Sequence, residues 1–270
     1  MLRAKLGDQS INTVCESAHC PNIGECFSKQ TLTFMILGDI CSRTCAFCGV
    51  VKGIPGPIDQ REPEKLVRAA KKLDLKYIVV TSVTRDDLAD GGAAQFAKVI
   101  SALHNFDPAL KIEVLIPDLQ GNLKNLRTIL EAEPFVLNHN IETIKRLYPT
   151  IRPQAKYERS LDVISNSKSL YPSIYTKSGF MVGLGEEDDE VFGTLADLRL
   201  AGCDIVTIGQ YLPPSKLHPG VSRYVKPEIF DMYREEGEKM GFLRVFSGPF
   251  VRSSYKAEEI LCSQNNQKDY

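Results

Sequence analysis

No stretch of this sequence approaches the roughly 18 consecutive apolar residues that a membrane span requires, and the opening MLRAKLGDQS lacks the apolar core of a secretory signal. A cytoplasmic protein without a membrane partner is therefore expected. An excess of charge is missing too. Thirty-three basic against thirty-four acidic side chains leave a net charge of -1, so nothing suggests a polyanion partner such as nucleic acid. Tryptophan is absent, which excludes nothing.

What is present is cysteine, unevenly spread. Of eight, six fall within residues 15–48, while Cys203 and Cys262 stand alone in no ligand pattern and read as buried or incidental thiols. A disulfide framework would not crowd its cysteines this way in so long a chain; metal ligation explains the clustering better. The 270 residues and 43% hydrophobic content suffice for one barrel-sized domain or two small ones.

Residues 1–30 are polar and show no sustained period, so they read as an irregular arm held by something other than a hydrophobic core. Beyond residue 31 short apolar runs alternate with amphipathic stretches, the pattern of parallel βα units. Strands are expected at 32–37, 77–81, 112–116, 135–138, 178–182 and 205–210, with a short seventh at 243–246. Helical spacing links them, as in Phe96, Val99, Ile100 and Leu103, in Leu123, Leu126 and Leu130, or in Val191, Leu195 and Leu198. Two further helices are expected near 157–170 and 227–240. The fold class is then α/β: a partial (β/α)6 TIM-like barrel whose chemistry lies on loops at the C-terminal strand ends.

Just after the first strand comes Cys41-Ser-Arg-Thr-Cys45-Ala-Phe-Cys48. Three soft thiolates at this density suit an iron-sulfur cluster or zinc. A zinc knuckle lacks its second ligand pair, because the next histidine is His104. A cubane held by three cysteines keeps one iron open, and an open iron is a reaction site. Upstream, Cys15, Cys20 and Cys26 supply three more thiolates, too many for the same cluster, so a second centre follows; His19 competes as a ligand but sits on a tight loop that commonly points it away. Gly91 and Gly92 would let bare backbone approach a ligand, or form an ordinary helix-entry turn.

The CxxxCxxC spacing resembles the radical S-adenosylmethionine superfamily. The further order CxxxxCxxxxxC, CxxxCxxC, TSVTRDDLADGGA, NHNIET, IRPQAKY, KSGFMVGLGE and GPFVRSSYKA resembles the lipoyl synthase family over nearly the whole chain. That resemblance implies two 4Fe-4S clusters and S-adenosyl-L-methionine as cofactors. Cys41, Cys45 and Cys48 would hold the radical cluster. Cys15, Cys20, Cys26 and Ser254, the last from the Arg-Ser-Ser-Tyr motif, would hold an auxiliary cluster that donates sulfur; Ser253 and Ser254 are otherwise helix caps. The reaction implied is insertion of two sulfur atoms at carbons 6 and 8 of a protein-bound octanoyl-lysine, by a sulfurtransferase. Partners implied are an octanoylated lipoyl carrier domain or glycine-cleavage H protein, and a small reductant protein of ferredoxin or flavodoxin type.

By position at strand ends, Asn138, His139, Asn140, Lys177, Gln210 and Tyr211 are candidate S-adenosylmethionine contacts, and each is equally able to serve as a structural hydrogen-bonding residue. Arg152 and Arg223 are candidate ligand or carrier contacts, or simple ion-pair partners. The expected organisation is 1–30 as an extension carrying auxiliary-cluster ligands, 31–243 as the barrel, and 244–270 as a segment returning to the N-terminal cluster. The segment before Cys15, with Leu2-Arg-Ala-Lys5, is short beside relatives in the family, which puts its partner contacts in doubt. The competing readings are a methylthiotransferase-like enzyme, for which no basic RNA-binding module is present, and a non-catalytic electron carrier, which would close both clusters with four cysteines.

Overall fold

In the computed structural model, which describes residues 11–28, 32–254 and 257, ten strands form. They are β1 Asn12–Thr13, β2 Thr33–Ile36, β3 Ile40–Cys41, β4 Val51–Lys52, β5 Tyr77–Ser82, β6 Lys111–Leu115, β7 Val136–Asn138, β8 Tyr175–Val182, β9 Ile205–Gln210 and β10 Arg244–Gly248. Eight of them make one sheet in the order β1-β2-β5-β6-β7-β8-β9-β10. From β2 onward every pairing in it is parallel, as right-handed βα succession requires. The two end strands are not bonded to one another, so the barrel stays open.

The six expected strands all form, and the seventh joins the same sheet, β10 pairing with β9 from Arg244↔Ile205 to Gly248↔Gly209. The sheet thus runs through Gly248, past residue 243. The outer sheet face and the helices close the core between them. Helix Ala93–Phe106 buries Phe96, Val99, Ile100 and Leu103, each 0% exposed, at about 1.5–3 kcal/mol of hydrophobic stabilisation apiece. Helix Asp188–Leu200 does the same with Val191, Leu195 and Leu198, and begins in a capping box between Glu187 and Glu190. Leu123 departs from expectation. It is the first residue of helix Leu123–Leu130, directly after the Asn122 cap, and faces outward while Ile129 takes the core position.

The arm is also more ordered than its composition suggests. β1 adds antiparallel to β2, pairing Asn12 with Met35 and Thr13 with Phe34, and buried Ile11 joins the main core. Thr13 then accepts from the Glu16 N–H to start helix Val14–Ser17, which carries Cys15. Too short to show a period, this strand draws its stability from the edge it covers. The segment at Leu2 to Lys5 lies outside the described residues.

Candidate active site at the barrel mouth

The CxxxCxxC loop leaves β2 and is pinned at both ends by the β3–β4 ribbon, Ile40 against Val51 and Cys41 against Lys52. Between those ends, loops from four other strands hold it. Ser42 N–H and its hydroxyl donate to Thr84 O, and Asp86 N–H donates back to the Ser42 hydroxyl. Thr44 binds Gln154 Oε1 through backbone and hydroxyl, Ala46 N–H donates to Ile151 O at 2.9 Å, and His218 Nε2 lies 3.1 Å from Cys48 O. Since a carbonyl only accepts, His218 carries its proton on Nε2.

The strongest brace is Arg43, missed in the sequence because its partners lie far along the chain. Its guanidinium, buried at 4% exposure, grips Asp86 through two bonds of 2.6 and 2.9 Å and Asp118 at 2.6 Å. Burial alone would lower the Arg43 pKa, but the two carboxylates outweigh it and raise it. Burial likewise pushes the Asp118 carboxyl upward, and the Arg43 bond overrides this and holds it near 2. Both partners therefore stay charged across the physiological range.

Of the thiols, Cys48 is pushed up to about 11 by burial and then by the neighbouring Cys45 and Cys41; Cys45 rises by burial too, against the pull of Arg152. All six clustered cysteines are partly buried. The thiols of the loop feel one another's charge, yet among the described residues no three His, Cys, Asp or Glu side chains converge tightly enough for a single metal ion. Three soft thiolates on one loop suit an iron-sulfur cluster with one iron left open.

The second cysteine group lies next door. A Cβ on Gly49 would stand 3.0 Å from Pro214 and 3.4 Å from Ala18 O, so the backbone beside Cys48 touches the turn carrying Cys15 and Cys20. On that turn Cys20 N–H donates to Cys15 O and Cys26 N–H to Asn22 O, both at 2.9 Å, while His19 is exposed. Burial raises the Cys15 thiol, the Thr33 backbone opposing it. The C-terminal strap reaches the same place. Asn22 Nδ2 donates to Phe250 O at 2.6 Å, and Arg252 is near enough to Cys20 for the sulfur to act on its charge. Ser254 follows on this strap, half-buried; Tyr255 lies outside the described residues.

Two bare strand positions make room for the strap. A side chain at Gly209 would strike Val251 O, and one at Gly179 would strike Thr207 and crowd Asn140 and Ser253. Ser253, not Ser254, is fastened to the barrel, accepting from Asn140 Nδ2 at 2.6 Å. Gly92 is required by structure, having φ 91 and the Leu37 side chain where its Cβ would be; Gly91, at φ 60, begins the same turn.

The other candidates divide. Asn138 Oδ1, at the end of β7, and Asn140 Oδ1 and Arg152 Nε beyond it are buried without a protein partner, the condition of groups that a polar ligand completes. Arg152 otherwise donates to Asn140 O and Ile141 O. Lys177 pairs with Glu113 at 2.9 Å, both within 1% of full burial, and Asn138 Nδ2 and Tyr77 OH bind the same carboxylate. Gln210 is occupied by the 211–225 loop, donating to Tyr211 O and Arg223 O and accepting from Val225 N–H. Tyr211 OH donates to Pro219 O. His139 donates from Nδ1 to Ile116 O and accepts from Ser160; burial, then Arg152, lowers its pKa to about 4, so it is neutral. Arg223 forms an ion pair with Asp188 at 2.8 Å. Cys203 is an inert core thiol, pushed up to about 12 by burial; Cys262 lies outside the described residues.

No helix among the described residues is long and apolar enough to cross a membrane. The family model described as Radical SAM superfamily matches residues 35–198. Among solved structures, methylornithine synthase is similar at TM-score 0.58 and 14% identity, over 79% of this chain and 63% of that one. HydG, a maturase of the FeFe hydrogenase, is similar at TM-score 0.57 and 14% identity, over 84% and 58%. At that identity these speak to the barrel alone. Sequence relatives go further. Lipoyl synthase of Caldicellulosiruptor saccharolyticus is 56% identical over 94% of this chain and 89% of its own length. That of Caldanaerobacter subterraneus is 54% identical over 95% and 90%, and that of Chlorobium limicola 50% identical over 98% and 91%. With the superfamily model across the barrel and such identity from arm to strap, the chain belongs to the lipoyl synthase family of radical S-adenosylmethionine enzymes.

Proposed function

We propose that this chain performs the radical sulfur insertion of lipoyl cofactor biosynthesis by dividing the work between its two cysteine loops. Cys41, Cys45 and Cys48 hold the 4Fe-4S cluster that works with S-adenosyl-L-methionine. Cys15, Cys20 and Cys26, with Ser254 as fourth ligand, hold the auxiliary 4Fe-4S cluster. When bound, the first supplies the radical and the second the sulfur that enters carbons 6 and 8 of a protein-bound octanoyl-lysine.

The observation that carries this reading is the meeting of both loops and the strap at one end of the barrel, through Gly49 against Ala18 and Asn22 bonded to Phe250. A radical must reach its target hydrogen before any other donor intervenes, so both centres have to face one closed space. The chain supplies that closure. Arg43, Thr44 and Ala46 fix the three-thiol loop on its outer side, and the strap enters over Gly179 and Gly209. Asn138, Asn140 and Arg152 offer the buried polar atoms that orient S-adenosyl-L-methionine. Lys177 and Gln210 act one step back, Lys177 by holding the Glu113 carboxylate to which Asn138 donates and Gln210 by shaping the loop that carries His218.

An octanoylated lipoyl carrier domain or H protein presents the acyl chain, and a small ferredoxin- or flavodoxin-type protein delivers electrons. Serine is a harder ligand than thiolate and a weaker match to iron, so its corner is the one suited to open as sulfur leaves. Ser254→Ala should therefore lose iron from the auxiliary site and abolish sulfur insertion while keeping 5′-deoxyadenosine formation. Iron and sulfide analysis with single-turnover mass spectrometry checks this; an unaltered cluster and undiminished sulfur transfer would remove Ser254 from the ligand set. An octanoylated carrier peptide that gained no sulfur with the wild-type enzyme would overturn the function itself.

A further inference from the structure

The stretches that wrap the outer side of Cys48 have a one-sided charge. Residues 40–58 and 205–227 contain no aspartate or glutamate, although the chain carries 34 acidic residues in 270. The two stretches are packed together, His218 on Cys48 O and Pro214 on Gly49, and between them lies a groove of about 680 Å³. Cys48 and Gly49 form part of its wall, with Lys52, Leu217 and His218.

Of the lysines and arginines in these stretches, Lys52, Lys216 and Lys226 are exposed, and none of the three has an ion-pair partner among the described residues. Arg43 and Arg223, by contrast, are neutralised within the protein. Apolar side chains stand uncovered on the same loops. Leu217 is 96% exposed, Ile54 94% and Val51 64%. Large apolar side chains left in water beside unpaired lysines have the composition of a docking surface.

We infer that this groove docks the enzyme's electron donor: a small one-electron carrier protein with an acidic face. The inference rests on the reading of Cys41, Cys45 and Cys48 as holders of the radical cluster. Two observations select this occupant. The exposed charged side chains of these two stretches are all lysines, so an acidic surface is complementary and a basic one is repelled. The wall contains Cys48 but none of Cys15, Cys20, Cys26 or Ser254. An acyl chain needs access to both centres, whereas an electron needs only a short path to one. In the transfer the carrier is oxidised by one electron and the cluster reduced by one, with no bond made or broken in either protein.

The test uses the cluster-loaded enzyme with the charge reversals Lys52→Glu and Lys216→Glu together, and flavodoxin containing FMN as the carrier. Affinity for oxidised flavodoxin at low salt should fall about tenfold or more, and the wild-type affinity should weaken as salt is added. Flavodoxin-driven 5′-deoxyadenosine formation should fall in step, while dithionite-driven formation stays unchanged. Unchanged flavodoxin affinity would overturn the proposal. So would an equal loss of the dithionite-driven rate, which would make the groove part of the cluster housing, or a loss of affinity confined to the octanoylated carrier domain. Failure of the wild-type enzyme to form deoxyadenosine even with dithionite would count against the functional reading, not the docking site.

Discussion

Cys45→Ala should bring 5′-deoxyadenosine formation down to background, whereas Cys20→Ala should leave it running and abolish only sulfur insertion. The two thiols lie on loops that touch through Gly49 and Ala18, so a general collapse of the mouth would disable both reactions in both variants. Divided labour does not. Cys45 lies on a loop pinned by β3, β4 and the loops that follow β5, β6, β7 and β9, and that framework stands without the arm. Cys20 lies on the arm, which joins the barrel through the β1–β2 pairing and meets its mouth through the Asn22 bond and the Gly49 contact. Anaerobic reconstitution followed by chromatography for deoxyadenosine and mass spectrometry of an octanoylated peptide separates the outcomes. Loss of deoxyadenosine in Cys20→Ala would contradict the division.

Arg43→Met should destabilise the fold by about 3–5 kcal/mol, because it strands the buried Asp118 carboxylate. Asp118, 0% exposed, would keep Arg159 at 3.2 Å and the Gln120 N–H, and the Asp86 carboxylate would lose both of its bonds to Arg43. The sign follows from the asymmetry of buried pairs: removing one partner costs far more than removing both. Asp118→Asn in the Arg43→Met background should accordingly recover part of the loss. Urea denaturation of cluster-free protein reads the stability directly, apart from any effect of iron. If Arg43→Met unfolds at the wild-type midpoint, the brace is not what holds this loop.

The seven parallel strands were legible in the sequence because each is a short apolar run with local punctuation, and local pattern is what sequence displays. The ends of β8 show the limit. The expected strand begins at 178, whereas β8 begins at Tyr175; its polar residues Thr176 and Lys177 are buried through bonds to Asp204, Gly202 and Glu113 that only the folded sheet supplies. The cysteine spacings were likewise local and unmistakable. The Arg43 brace was not, its partners lying 43 and 75 residues away. Gln210 and Lys177 were noticed for standing near strand ends, yet their side chains are engaged by protein, which position cannot reveal. Ser253 and Ser254 are adjacent in sequence and indistinguishable by type; the Asn140 bond separates them, fastening the first and leaving the second on the strap beyond it.

The central claim is that the chain carries its own sulfur supply beside its radical centre. Enzyme reconstituted with sulfur-34 sulfide, freed of excess and allowed a single turnover in unlabelled medium, gives the most direct reading. The account predicts that both sulfur atoms of the lipoyl product carry the label and that the auxiliary cluster is lost. Unlabelled sulfur in the product, with the labelled cluster intact, would contradict it.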